Sequence, residues 1–417
     1  MGLLDIFAIL ITLAAIFSYL NHCYIGLPSA IGLMVLSLLI SLTILALGFF
    51  NIFSISEHAR LLLSHLDFYD TLMHGMLGLL LFAGALHVNF DDLLEHKSII
   101  ISLATVGVAL STFLVGGLTW CVLKLLGMEL SILHCFLFGA LISPTDPIAV
   151  LGIMKKVGAP KSLETAVTGE SLFNDGIGVV VFLALLSLLD AQHSPGSSHS
   201  ITSLFLLEAG GGILYGTGLG LITYWLLKKV DNYQVEVLLT LATVIGGYRL
   251  AEVLHISAPL AIVIAGLLVG NHGRRLGMSE ETRQHLDTFW ELIDEILNSV
   301  LFVLIGLEIL VLPYDPRYLL VGIILIPVVI LSRFISVGST VSILRKLKDY
   351  RQGTVKILTW AGLRGGISVA LALSLPVGPE REVLITATYV VMSFSILVQG
   401  LTVGKVIKRY LMVPIGS

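Results

Sequence analysis

Apolar residues occupy this chain in long continuous blocks separated by short polar punctuation. A bilayer core of about 30 Å needs roughly 20 apolar residues of helix to cross it. Only helices and closed barrels satisfy their backbone in lipid, and runs this long and continuous predict helices. Thirteen such runs lie at 3–20, 27–49, 71–89, 98–126, 131–154, 162–189, 203–228, 233–253, 259–271, 287–311, 318–344, 355–375 and 383–407. The ninth is short, and a tilted or partly interfacial helix is expected there.

Composition turns these runs into a fold class. Hydrophobic residues make up 56% of the 417 residues and charged residues 12%, roughly half the ~25% of a soluble chain. Mean hydropathy is +0.97. So few charges cannot hydrate the surface of a chain this long, which excludes a soluble enzyme, a nucleic-acid binder and a disordered scaffold. The expectation is an all-α polytopic membrane protein with about 13 transmembrane helices. A net charge of −4 gives no basic field for nucleic acid. Cys23, Cys121 and Cys135 are too few for a disulfide framework or a metal site and read as small core hydrophobes. The opening segment has no basic n-region and is expected to be a retained helix, not a cleaved signal peptide.

The basic residues test the count. With the N-terminus outside and loops alternating, seventeen lysines and arginines fall on the inner side, among them Lys155, Lys156 and Lys161. Five fall outside (Arg60, Lys124, Arg249, Arg317 and Arg381), and two, Arg333 and Arg364, lie within helices. This asymmetry supports thirteen spans, an outer N-terminus and a cytoplasmic C-terminus in a plasma membrane of prokaryotic type. The longest loops are expected around Asn51–Asp70 and Ala191–Thr202. About ten residues follow the last span, so no soluble tail is expected.

Ionisable groups at membrane depth are functional hypotheses by default. In the fifth span, Ser143-Pro144-Thr145-Asp146-Pro147 sets two prolines around an acid. The prolines remove backbone donors, so the helix should break and leave free carbonyls and N–H groups at mid-depth. An ordinary turn is the alternative, opposed by the apolar runs on both sides. In the sixth span, Gly169-Glu170-Ser171-Leu172-Phe173-Asn174-Asp175-Gly176 puts Ser171 and Asp175 on one face at i and i+4, with Asn174 beside them. A polar helix start at the membrane edge is the alternative; the apolar stretch Val179–Leu189 places Asp175 further in. In the twelfth span, Gly362-Leu363-Arg364-Gly365-Gly366-Ile367-Ser368 weakens the helix around an arginine, with close helix packing through small residues as the alternative.

The two breaks stand seven spans apart, where an inverted duplication would place equivalent helices. Residues 1–190 and 233–417 then form the repeats, with 191–232 holding a linker and the seventh span. Asp146 would offset the positive field of converging helix N-termini, and Arg364 the negative field of converging C-termini. Arg333 needs a buried acid, for which Glu170 is the candidate. That leaves Asp146 and Asp175 for a mobile ion. His74 and His87 read as hydrogen-bonded interior or interface histidines, and Gly210–Gly220 as a packing face.

The segments GALISPTDPIAVLGIMKK, GESLFNDGIGVVVF, LSRFISV and TWAGLRGGISVALALSLP resemble the monovalent cation/proton antiporters, in their NhaP/NHE (sodium/proton exchanger) branch. The likeness runs in order through nearly the whole chain, and Thr-Asp-Pro with Asn-Asp is its specific part. The resemblance implies a homodimer whose six-helix core bundle moves against a dimerisation domain, and a part in pH homeostasis. It implies that Asp175 binds the ion or proton, that Asp146 is the acid of the unwound crossing helix, and that Thr145 and Ser171 supply cation oxygen ligands. Asn174 sits where electrogenic relatives carry a second aspartate. Glu170 and Arg333 resemble a structural ion pair, and Arg364 the charge of the second crossing. In one departure, Ala83 in LLFAGAL replaces a glutamate that several relatives carry in the third span.

The expected activity is exchange of Na+ (or Li+ or K+) for H+ at a single site, electroneutral at 1:1, with no cofactor beyond the transported ions. A cation channel and a potassium/proton antiporter are the alternatives. A membrane enzyme is disfavoured, because no HExxH, GxSxG or Cys/His grouping appears.

Overall fold

The computed structural model describes residues 3–49, 68–193, 201–273, 280–312, 315–344 and 353–411, and every described element is helical. Helix α1 (Leu3–Leu20) and helix α2 (Ser29–Phe49) are followed, after Phe68–Asp70 and a wide π turn at Thr71–Met76, by α3 (Leu77–Leu86). Short helices Phe90–Glu95 and Lys97–Ser102 lead through another π turn, Leu103–Gly107, into α4 (Val108–Leu125). The fifth run is split into α5a (Ile132–Leu141) and α5b (Ile148–Val157). Then come α6 (Lys161–His193), α7 (Ile201–Leu227), α8 (Tyr233–Val253), α9 (Ala258–Leu268), α10 (Glu280–Glu308) and α11 (Pro316–Leu344). The twelfth run is split into α12a (Thr354–Ala361) and α12b (Gly366–Leu373), and α13 (Pro379–Phe394) continues beyond a π turn into Gly400–Leu411.

Each of the thirteen apolar runs thus carries helix, and seven helical stretches among the described residues are long and apolar enough to cross a membrane. Most of the loop expected at 51–70 and of the linker at 191–202 lies outside the described residues, as do Arg60, Arg274, Arg275, Arg345, Lys346, Lys348 and Arg351 of the basic-residue count.

Helix starts follow local chemistry. Ser131 accepts from the His134 N–H ahead of α5a, Asn232 from Gln234 and Val235 ahead of α8, and Ser257 from Leu260 ahead of α9. Each satisfies backbone donors that no carbonyl of the helix can reach.

Polarity is arranged for lipid. Leu125, Leu214, Leu238 and Phe113 stand outward, while Trp290, Phe138 and Phe182 are enclosed. Burial adds to one sequence expectation and changes another. The short ninth helix is enclosed by protein: Ala258–Val263 and Ala265–Leu267 are buried, and α9 packs against α3 and α7. It is met on its α7 side by Gly212, Gly216 and Gly220. Of the cysteines, only Cys135 lies in the core; Cys23 and Cys121 are exposed. A thiol is apolar enough to sit on a lipid-facing surface as readily as inside.

Candidate functional site

The two breaks meet. The Asp146 N–H donates to the Leu363 carbonyl at 2.8 Å, so the unwound strands of α5 and α12 touch as an isolated antiparallel bridge.

On the α5 side, Pro144 and Pro147 bring no N–H, so the backbone between them finds partners outside its own helix. Asn174 on α6 holds Thr145 at two points: its Oδ1 accepts the Thr145 N–H at 3.2 Å, and its Nδ2 donates to Thr145 Oγ1 at 2.8 Å. Ser171, one turn earlier on the same helix, lies 3.1 Å from Thr145 Oγ1 and donates to the Thr145 carbonyl. Asp146 accepts the Ile148 N–H at 2.9 Å, which anchors the start of α5b.

On the α12 side, Arg364 is 2% exposed. Its Nη1 donates to the carbonyls of Ser143 at 2.6 Å and Pro144 at 3.1 Å, two acceptors stranded by the end of α5a. The Arg364 N–H donates to Ser395 Oγ at 3.1 Å, and Ser395 donates in turn to Gln399 at 2.7 Å. The glycines permit this crossing. A Cβ on Gly365 would lie 2.7 Å from the Asp146 Cβ, and one on Gly362 would lie 2.8 Å from Arg333 Nε. Close approach, more than weakened helix, is what these positions require.

Arg333 Nη1 lies 2.5 Å from Glu170 Oε1, and both side chains are buried. Arg333 Nη2 also donates to the Leu358 carbonyl at 3.4 Å, so the pair ties α6 and α11 to the end of α12a.

Asp175 is one helical turn after Ser171 and, with Asp146 and Thr145, lines a cavity of about 1050 Å³. The carboxylates of Asp175 and Asp146 are close enough to interact electrostatically. Ala83, from α3, also lines the cavity and brings no charge to it. The cavity also reaches Lys155, Lys156 and Lys161, the last paired with Asp92 at 2.7 Å. The structure therefore gathers Thr145, Asp146, Ser171, Asn174 and Asp175 at one centre and places Glu170, Arg333 and Arg364 around it. Of the two histidines, His74 bonds Asp70 at 2.7 Å and Glu252 at 3.0 Å, and His87 bonds the Ala83 carbonyl at 2.8 Å.

Sequence reading gave no role to Asp294 and Asn298 of α10, which line this cavity, and named Ser368 of α12b only as the end of the glycine-rich segment. A signal was available. Glu291, Asp294, Glu295 and Asn298 repeat at helical spacing inside a predicted span, where acids are expensive.

Two carboxylates, a serine and a threonine make a set of hard oxygen donors suited to a small monovalent cation. An apolar exterior, two interrupted helices crossed at the centre, and acids facing a cavity at that crossing are the architecture of a secondary transporter. The family model described as "Sodium/hydrogen exchanger, transmembrane" matches residues 9–409, and the chain belongs to that family. It is 48% identical over 411 residues to the Na(+)/H(+) antiporter NhaP of Pseudomonas aeruginosa, covering 98% of this chain and 97% of that one. It is 35% identical over 386 residues to the Na(+)/H(+) antiporter NhaH of Halobacillus dabanensis, covering 92% of each. The solved structure of the sodium proton antiporter MjNhaP1 from Methanocaldococcus jannaschii superposes with a TM-score of 0.76 at 19% identity, covering 99% of this chain and all of that one.

Proposed function

We propose that this chain exchanges Na+ for H+ across a membrane, using one acidic centre that holds either ion but not both. The observation that carries this reading is the placement of Asp175 and Asp146 together on the cavity wall, beside the crossed breaks. Family membership and the sodium/proton antiporters among its relatives support the choice of ions.

Charge neutrality supplies the coupling. An acid away from bulk water is costly while ionised and uncompensated, so it is stable with a proton or with a cation. The cation would draw on Asp175, Asp146, Ser171 and the oxygens of Thr145. Crossing the barrier only in a loaded form then turns competition into exchange. Asn174 contributes amide bonds and no charge at this centre, which fits one proton per cation and electroneutral 1:1 turnover.

The cavity reaches Lys155, Lys156 and Lys161, which the positive-inside pattern puts on the cytoplasmic side. This arrangement is accordingly inward-open, with the N-terminus outside and the C-terminus in the cytoplasm of a prokaryotic plasma membrane. The chain is organised as inverted repeats 1–190 and 233–417 around the linker and seventh helix of 191–232, and it works as a homodimer in lipid. It binds no nucleic acid and needs no cofactor. Glu170 and Arg333 brace the centre, and Arg364 neutralises the stranded carbonyls of the α5 break.

The test is cation-dependent proton flux in proteoliposomes across Na+, Li+ and K+ under clamped voltage. Sodium-driven alkalinisation at a rate independent of potential is expected, and Asp175→Asn should abolish it while the purified protein stays monodisperse. Cation flux without proton counter-flux would mean a channel; surviving exchange in Asp175→Asn would remove the assigned centre.

A further inference from the structure

The cavity has a second polar wall that the exchange reading leaves unused. Asp294 and Asn298 stand at i and i+4 on α10 and line the cavity, and Ser368, in the first turn of α12b, lines it too. Asn298 is 6% exposed and Ser368 1% exposed. Asn298 stands within interaction reach of Asp294 on the same helix face, and the buried Ser368 hydroxyl has no hydrogen-bond partner among the described residues. A buried hydroxyl is costly without a partner, so Ser368 beside the cavity marks where a ligand or its water would bind. Asp294 is also close enough to Asp146 for the two charges to repel, which a cation between them would relieve.

We propose that Asp294, Asn298 and Ser368 form a second cation position in this cavity, taking a partly hydrated monovalent cation on its way to or from Asp146 and Asp175. Its donors are a carboxylate, an amide oxygen and a hydroxyl, all hard oxygens. It rests on the exchange reading for the identity of the ion. α10 contributes two of its residues and α12b the third, so the position spans elements outside the α5–α6 centre. It also puts a carboxylate on the cavity wall from α10, where Ala83 leaves the α3 side without one.

The experiment measures Na+-dependent exchange in proteoliposomes at fixed pH, and Na+ binding calorimetrically to the full chain in detergent. Asp294→Asn should raise the apparent KM for Na+ roughly fivefold or more, a larger change than any fall in maximal rate, with Asp294→Glu restoring most of it. Asn298→Ala and Ser368→Ala should shift KM in the same direction by less; they carry the test if Asp294→Asn does not fold. In Asp175→Asn, weak residual Na+ binding should remain and should vanish in Asp175→Asn/Asp294→Asn. An unchanged KM in the folded wall variants, a fall confined to maximal rate, or absence of residual binding in Asp175→Asn would overturn the second position. Sodium-driven exchange that survives in Asp175→Asn would instead overturn the exchange reading itself, so the two failures are distinct.

Discussion

The breaks in α5 and α12 meet at one crossing and are built from opposite materials. The α5 break is made by prolines, which forbid helix, and it exposes an acid toward the cavity. The α12 break is made by glycines, which allow close approach, and it buries an arginine against carbonyls of the other break. Removing donors creates a polar vacancy in a helix; supplying a cationic side chain fills one. One break therefore places an acid on the cavity wall while the other supplies a cationic donor to the carbonyls stranded beside it, and the backbone bond from Asp146 to Leu363 ties the two together.

The division of labour can be broken from the bracing side. Arg333→Met alone leaves Glu170 as a buried charge without its partner, and should lower stability by about 3–5 kcal/mol. The double variant Arg333→Met/Glu170→Gln should recover most of that loss. Melting of the detergent-solubilised protein measures both. A double variant as unstable as the single would show that the helices, not the pair, depend on these positions.

The next effect tests the close approach. Gly365→Ala places a methyl within 2.7 Å of the Asp146 Cβ. The crossing must shift, and exchange should fall about tenfold or more, the equivalent of at least ~1.4 kcal/mol at the centre, with a smaller change in melting. Unchanged transport would mean that the crossing is looser than its contacts indicate.

The smallest change sharpens the α6 side. Asn174→Asp removes the amide donor to Thr145 Oγ1 and adds a titratable group beside Asp175. Exchange should slow and become sensitive to membrane potential, read as a voltage-dependent rate in proteoliposomes. A rate still indifferent to voltage would disconnect residue 174 from stoichiometry.

Much of this was legible in the sequence, because lipid imposes simple rules. Continuous apolar runs marked the long helices, and Pro144, Pro147, Gly362 and Gly365 marked the places where helix stops. What the chain order conceals is enclosure. Ala258–Leu268 looked short for a span because nothing in its composition shows that other helices surround it, and lipid and protein ask the same apolar residues of a helix. The outward placement of Cys23 and Cys121 was hidden for the same reason. Asp294 and Asn298 were overlooked because they belong to the site only through tertiary packing that brings α10 across the cavity from α6.

The central claim is that cation and proton exclude one another at Asp175. Calorimetric titration of Na+ into the purified protein, run in buffers of different ionisation enthalpy near neutral pH, counts protons released on binding. The account predicts about one proton released at the high-affinity step, as expected when a cation displaces a proton from its ligand, and none in Asp175→Asn. High-affinity Na+ binding with no proton release in the unmodified chain would contradict it.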